Sequence, residues 1–147
     1  MKNSFWIFFC IILPILQSAT LANEEDRLVA RWHYRVHITN SFPNNDQPLY
    51  VHCWSRDDDL GEHNLWVNNE FTFRFGKNIF FPTRFDCDFR HGSLSTRFPI
   101  FHIDRDGSKC RRTGQCYWSV REDGFYFCND NIWWYKRYDW NGTEISN

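Results

Sequence analysis

The chain holds 147 residues, one fifth of them aromatic, with a formal net charge of −1 at pH 7. That balance argues against a nucleic-acid binder, which needs a strongly basic face, and against a polybasic membrane binder. The aromatic share suits sheets and interfaces more than helices.

The chain opens as a secretory signal peptide does. Lys2 supplies a positive charge, Phe5–Leu16 is apolar apart from Pro14, and Thr20-Leu21-Ala22 suits cleavage before Asn23. The apolar run falls short of the about 20 residues that a spanning helix needs. Residues 1–22 are therefore expected to be a signal peptide, and 23–147 a single exported domain. Without Lys2 that domain carries 16 basic against 18 acidic residues. Glu24–Ala30 has the pattern for one helical turn, and no later segment sustains a helical stripe.

Beyond it, apolar and polar residues alternate at period two, as in half-buried strands. Tyr34, Val36 and Ile38 oppose Arg35, His37 and Thr39. A Pro/Asn/Asp loop spans 41–48. Leu49, Val51 and Cys53 then oppose Tyr50, His52 and Trp54, and the pattern stops at Asp57-Asp58-Asp59-Leu60-Gly61. Three adjacent carboxylates repel one another and hydrate strongly, which places them in a solvated loop. Phe71, Phe73 and Phe75 form the next apolar face, closed by the break Gly76-Lys77-Asn78, and Phe85, Cys87 and Phe89 the one after. Phe98–Ile103 loses phase around Pro99, which marks a bulge or an edge strand. Asp106-Gly107-Ser108 reads as a turn. Cys116, Trp118 and Val120 face inward, and Asp123-Gly124 predicts a type I′ hairpin joining 116–121 to 125–129. In the tail, alternation puts Trp134, Tyr138 and Trp140 on one side and Trp133 and Tyr135 on the other. About eight short strands with turn signals at this spacing predict an all-β, antiparallel sandwich or closed barrel.

Export makes disulfides the default use of cysteine. Cys10 leaves with the signal, and Cys53, Cys87, Cys110, Cys116 and Cys128 remain. Strand phase favours Cys53 with Cys87, and Cys110 in a polar loop with Cys116. Cys128 is then spare and points outward. Pairing of Cys128 with a core cysteine or with a second molecule is the alternative. Each bond is expected to contribute about 2–4 kcal/mol. Asn141-Gly142-Thr143 is a glycosylation sequon.

No pattern for chemistry survives inspection. Calcium loops counted from Asp57 or Asp104 lack the twelfth-position glutamate. Six histidines (33, 37, 52, 63, 91 and 102) show no zinc-protease spacing, and no Gly-x-Ser-x-Gly elbow occurs. A His52–Asp57 acid–base pair is conceivable, but the spacing does not demand it. His91-Gly92-Ser93-Leu94 departs from the His-Gly-Leu-Trp segment of secreted self-incompatibility ribonucleases. The reading is therefore no catalytic residue, no metal and no cofactor.

One ordered set of motifs carries more information than any single one. Val36-His37-Ile38-Thr39-Asn40 comes first, then Val51-His52-Cys53-x-Ser55-x-Asp57-Asp58-Asp59-Leu60-Gly61. Phe71-x-Phe73-x-Phe75, Thr83-x-Phe85-x-Cys87, Cys110 and Cys116-x-Trp118-x-Val120-x-x-Asp123-Gly124-x-Tyr126 follow, with a late Trp134. This series resembles the plant self-incompatibility S-protein family over most of residues 23–147. Cys53, Cys87, Cys110 and Cys116 fall where that family has four cysteines, and Cys128 departs from it. The resemblance implies a small secreted β-sandwich with two disulfides and no enzyme activity. In poppy, such proteins are stigma ligands read by incompatible pollen.

The combined expectation is a disulfide-stapled, monomeric β-sandwich recognised by a cell-surface receptor protein, without nucleic-acid binding or membrane insertion. Its candidate contact loops are 41–48, 55–63, 104–115 and 129–133, with Asp57, Asp58, Asp59, Arg111 and Arg112 as contact residues. The alternative is a carbohydrate or cell-wall binder using Trp133 and Tyr135. A secreted membrane-damaging defence protein is disfavoured by the balanced charge.

Overall fold

The computed structural model describes residues 33–77 and 80–145. The expected signal peptide and the Glu24–Ala30 turn lie outside the described residues. The described residues form nine strands and one helix, in order β1 (His33–Asn40), β2 (Leu49–Trp54), β3 (Asp59–Leu65), β4 (Glu70–Gly76), β5 (Arg84–His91), β6 (Leu94–His102), α1 (Ile103–Cys110), β7 (Gln115–Arg121), β8 (Gly124–Cys128) and β9 (Tyr135–Tyr138). They form a five-stranded sheet, β4-β1-β7-β8-β9, and a four-stranded sheet, β3-β2-β5-β6. The sandwich expected from alternation is present.

The inward phases are those the sequence predicts. Tyr34, Val36 and Ile38 of β1, Leu49, Val51 and Cys53 of β2, and Phe85, Cys87 and Phe89 of β5 are all buried. So are Cys116, Trp118 and Val120 of β7. One pair departs from the antiparallel expectation: β1 runs parallel to β7. The two strands lie far apart in sequence, with the whole second sheet between them. A long crossover leaves strand direction free, whereas a hairpin fixes it.

The loss of phase near Pro99 has both predicted causes. β6 is an edge strand, and its register against β5 jumps between Phe101 opposite Phe85 and Pro99 opposite Asp86. Ile100 is the extra residue of the bulge, so Phe98, Ile100 and Phe101 are all buried. The β7–β8 hairpin sits where expected, but its loop is Glu122-Asp123, because Gly124 already pairs with Arg121. Asp123 has no positive φ, so the turn is not type I′. Gly124 (φ 145°) is required by closeness instead, since a Cβ there would collide with the carbonyl oxygen of Tyr138.

Helix α1 corrects the sequence reading, which took Asp106-Gly107-Ser108 for a turn and Cys110 for a loop residue. The helix stands on tertiary contacts rather than propensity. His102 caps it, accepting from the Asp104 amide at 3.3 Å, and Asp106, Gly107 and Cys110 are buried in its last turns. Tyr34 donates its hydroxyl hydrogen to the Gly107 carbonyl at 3.3 Å. A methyl group at Gly107 would sit 2.8 Å from Ile103 Cδ1, so any larger residue there would push the Ile103 side chain aside.

Asp106 is the polar centre of this packing and is fully buried. Its carboxylate accepts from Arg105 Nη2 at 2.7 Å, from Arg137 Nη1 at 2.8 Å and from the His102 amide at 2.9 Å. Arg105 also donates to the Pro99 carbonyl at 2.7 Å and to the Tyr138 hydroxyl. Arg137, itself buried, reaches Glu144 at 3.2 Å and lies over the rings of Phe127 and Trp118. One carboxylate thus ties α1 to β6 and to β9. Disulfides Cys53–Cys87 and Cys110–Cys116 complete the frame. The first joins directly opposed residues of β2 and β5. The second closes a six-residue separation between α1 and β7.

Removing one member of a buried ion network leaves the others uncompensated. Asp106→Asn is therefore expected to cost about 3–5 kcal/mol, seen as a lower urea midpoint. Asp57→Asn, an exposed control, is expected to stay within about 0.5 kcal/mol of the parent. Equal small effects would show that Asp106 is not a keystone.

Candidate recognition surface

Strand register assigns every loop to one of two ends. At the first end lie loop 41–48, turn 66–69, the β5–β6 and β7–β8 hairpins, and the tail after Tyr138. At the second lie turn 55–58, residues 80–83, α1 with turn 111–114, and loop 129–134. The pairings Thr39–Glu70, Asn40–Val120, Leu49–Leu65 and Tyr50–Arg90 fix this division. Three of the four expected contact loops therefore converge, and 41–48 lies at the opposite end. Their extents also change. Residues 59–63 belong to β3, and 104–110 to α1.

The three aspartates separate by role. Ser55 Oγ accepts from the amides of Asp57 and Asp58 at 3.3 and 3.0 Å, and the Ser55 amide donates to the Asp58 carbonyl at 2.7 Å. This closed turn leaves both carboxylates in solvent. Asp59 instead opens β3. It accepts from the Gly61 amide at 2.9 Å and pairs with His52 Nε2 at 2.8 Å, which hold its carboxyl below the usual range. His52 thus meets Asp59 rather than Asp57, through a surface contact in place of an acid–base pair. Arg111 and Arg112 are exposed on the turn after α1. The adjoining disulfide and the Gly114 amide bonded to the Cys110 carbonyl at 2.7 Å fix that turn.

The aromatic tail divides differently from the simple alternation. Tyr138 and Trp140 are buried, as expected of one side. On the other side Trp133 is 79% exposed, while Tyr135 packs edge-on to Phe127 with centroids 5.6 Å apart. Trp133 and Tyr135 therefore form no shared stacking platform. Trp133 stands with Ile132, 69% exposed, at the tip of loop 129–134. Asp130 sets that tip: its Oδ1 accepts from the amides of Ile132 and Trp133 at 2.9 and 3.0 Å and from the Cys128 thiol at 2.9 Å. Among the described residues Cys128 is the unpaired cysteine, but it does not face solvent. It is fully buried, outside the main core and beside Asp130.

Segment 80–83 was not anticipated. Phe80 and Phe81 are 82% and 50% exposed. The Arg56 guanidinium lies 3.9 Å from the Phe81 ring centroid, above a cleft of about 310 Å³ that Arg74, Phe75, Arg84 and Phe85 also line. The available signal was the unalternated Ile79-Phe80-Phe81-Pro82, apolar residues directly after a break. Of the large exposed hydrophobics among the described residues, only Trp66 lies at the first end; Phe80, Phe81, Ile132 and Trp133 all lie at the second.

The histidines serve local structure. His37 bridges Glu70 at 2.9 Å and Gln115 at 2.7 Å, His63 bonds the Leu60 carbonyl, and His91 stacks on Phe42. Among the described residues no group of three or more His, Cys, Asp or Glu could hold a metal ion. No described helix is long and apolar enough to cross a membrane.

The arrangement defines a class: a small two-sheet sandwich with two disulfides and exposed apolar side chains gathered at one end. The comparisons with known proteins name the family. The family model described as plant self-incompatibility protein S1 matches residues 35–140, and the chain belongs to that family. S-protein homolog 24 of Arabidopsis thaliana is 33% identical over 140 residues, covering 93% of this chain and 89% of the relative. S-protein homolog 7 of the same plant is 29% identical, covering 91% and 98%. A solved structure of self-incompatibility protein homologue (SPH) proteins shares the fold, with a TM-score of 0.50 and 22% identity over 66% of this chain and 84% of that one. Those proteins are described as a widespread family of small, highly stable, secreted proteins from plants. The chain is thus a member of a secreted plant family.

The Asp130 contacts give a pH signature. Bonds from the thiol and then from the two amides lower its carboxyl pKa from 3.8 to about 2. A depressed folded pKa means support that is full above the unfolded value and lost as pH falls through the folded one. The Trp133 amide resonance is expected to titrate with a midpoint near 2, and to lose that titration in Asp130→Asn. A midpoint near 3.8 would show that the carboxylate does not hold the tip.

Proposed function

We propose that the chain is exported after cleavage before Asn23 and acts as a monomeric, non-enzymatic extracellular ligand, read by a cell-surface receptor protein through the loops of its second end. The gathering of four large exposed hydrophobics at the second end carries this reading: Phe81 lies under Arg56 of the turn after Cys53, and the Trp133 loop is bonded to the turn after Cys110, so both groups stand beside turns that adjoin a disulfide. Cys53 lies two residues before Ser55, and Cys110 immediately precedes Arg111. Loops held stiff lose little freedom on binding, so more of the contact energy appears as affinity. Exposed aromatics beside unburied charges are the composition of an interface anchor and its rim. Recognition between cells is the general role, and self-incompatibility is one form of it within the family.

The proposed glycan at Asn141 agrees with this division. Asn141 is exposed at the first end, where its side-chain oxygen accepts from the Thr143 amide at 2.9 Å. A sugar there leaves the second end uncovered. The cell-wall alternative is weakened by Tyr135, whose packing removes half of its expected aromatic platform.

Binding of labelled protein to plant protoplasts tests the reading. Saturable, protease-sensitive binding is expected. Reversing the charges of Asp57 and Asp58, or of Arg111 and Arg112, is expected to weaken it at least about tenfold, with stability held within about 0.5 kcal/mol. Asn141→Gln is expected to leave binding intact and raise gel mobility. Loss of stability in parallel with binding would make the loops structural and remove the proposal.

A further inference from the structure

The tip of loop 129–134 combines three properties that favour a lipid surface. First, it is a convex apolar wedge: Ile132 and Trp133 are adjacent and are 69% and 79% exposed. Second, the backbone amides of both are already satisfied by Asp130 Oδ1, at 2.9 and 3.0 Å. An amide that enters an apolar medium unpaired is strongly penalised, and these two are not unpaired. Asn131 takes the left-handed conformation that the tight tip requires, at φ 60°.

Third, the wedge's loop is fastened to a basic stretch of chain. Asn129 fastens the loop to the last turn of α1 and to turn 111–114: its side-chain amide donates to the Lys109 carbonyl at 2.7 Å, and its carbonyl accepts from Thr113 Oγ1 at 2.9 Å. Lys109 at the end of α1 and Arg111 and Arg112 on the turn are exposed. Lys109 Nζ reaches the Tyr135 hydroxyl at 3.3 Å. Neither Arg111 nor Arg112 forms an ion pair with any described residue. The loop's own carboxylate, Asp130, is engaged in holding the tip. Tryptophan settles at the level of lipid headgroups, and neighbouring Lys and Arg are drawn to anionic lipids.

We infer that this end of the molecule docks shallowly on an anionic membrane surface, with Trp133 and Ile132 entering the headgroup region and Lys109, Arg111 and Arg112 meeting lipid phosphates. The nearly neutral overall charge does not oppose this, because screening at physiological salt limits each charge to about 8 Å. Docking of this kind is separate from receptor recognition, since it requires no protein on the membrane.

The test is flotation of the secreted, disulfide-bonded protein with protein-free vesicles, of phosphatidylcholine alone or mixed with phosphatidylserine. Brominated lipid would report tryptophan depth. Binding is expected only with phosphatidylserine, together with tryptophan quenching, and both are expected to fade in high salt. Trp133→Ala is expected to weaken binding about tenfold, and Arg111→Gln with Arg112→Gln about twentyfold. Trp66→Ala, at the opposite end, is expected to change nothing, and thermal melting shows that each variant is folded. Absence of binding to phosphatidylserine vesicles would overturn the inference, as would binding that survives Trp133→Ala. Protease-sensitive protoplast binding without vesicle binding would assign the wedge to a protein pocket instead.

Discussion

A single buried carboxylate organises the end of this molecule where large apolar side chains stand exposed. Asp106 is inaccessible to water and is held by two guanidinium groups and one backbone amide. Charges removed from water are costly, and an arrangement like this persists because each partner compensates the others. Arg105 comes from the same helix and Arg137 from the last strand, so the carboxylate joins elements that alternation alone would leave unrelated. The helix has little reason to form by itself. It is short, carries a glycine, and derives its order from Asp106, Gly107 and Cys110 in the core.

The second end follows from that constraint. Helix α1 positions Cys110, whose bond to Cys116 shapes turn 111–114. The same turn fastens loop 129–134 through Asn129. Tight local bonds then fix the tips: Ser55 for the acidic turn and Asp130 for the tryptophan loop. The result is a rigid display of groups that a folded protein usually covers. The outer face of the four-stranded sheet is treated differently. There Arg84 pairs with Asp86, and Arg97 with Asp88. Such pairs add little stability, but they keep an edge strand like β6 polar and discourage pairing with another sheet.

How much of this was legible in sequence depends on the range of the interaction. Alternation in β1, β2, β5 and β7 reports burial directly, because side chains two apart share a face. Those strands, their inward cysteines and the Pro99 irregularity were therefore readable. Helix α1 was not, since Asp-Gly-Ser is turn chemistry locally and only Tyr34 and Arg137, far away in sequence, override it. Register explains Asp59: the turn at 55–58 is shorter than a run of three carboxylates suggests, so the third begins a strand. Cys128 has the outward phase that alternation gives it, yet Asp130 and its loop fold over that face. Phase predicts which side of a sheet a residue occupies, but not whether a loop returns to cover it.

The candidate surface was legible for the same reason in part. Asp57, Asp58, Arg111 and Arg112 stood out as charges without an obvious structural partner, and all four are exposed in the structure. Trp133 and Tyr135 looked equivalent, and only the packing of Tyr135 against Phe127 separates them. Phe80 and Phe81 follow a strand break, where apolar residues carry no periodic signal, so their exposure emerges only from the fold. These differences share a physical origin. The frame is specified by patterns repeated along the chain, each strand repeating the same in–out choice. A displayed tip is specified by one or two side chains that satisfy a few amides, as Asp130 does for Ile132 and Trp133. Such a tip can change its apolar residues without disturbing the sandwich beneath, because its amides are bonded to Asp130 and its anchor is Asn129. The energetics of the fold and the chemistry of the surface are thereby held by separate residues.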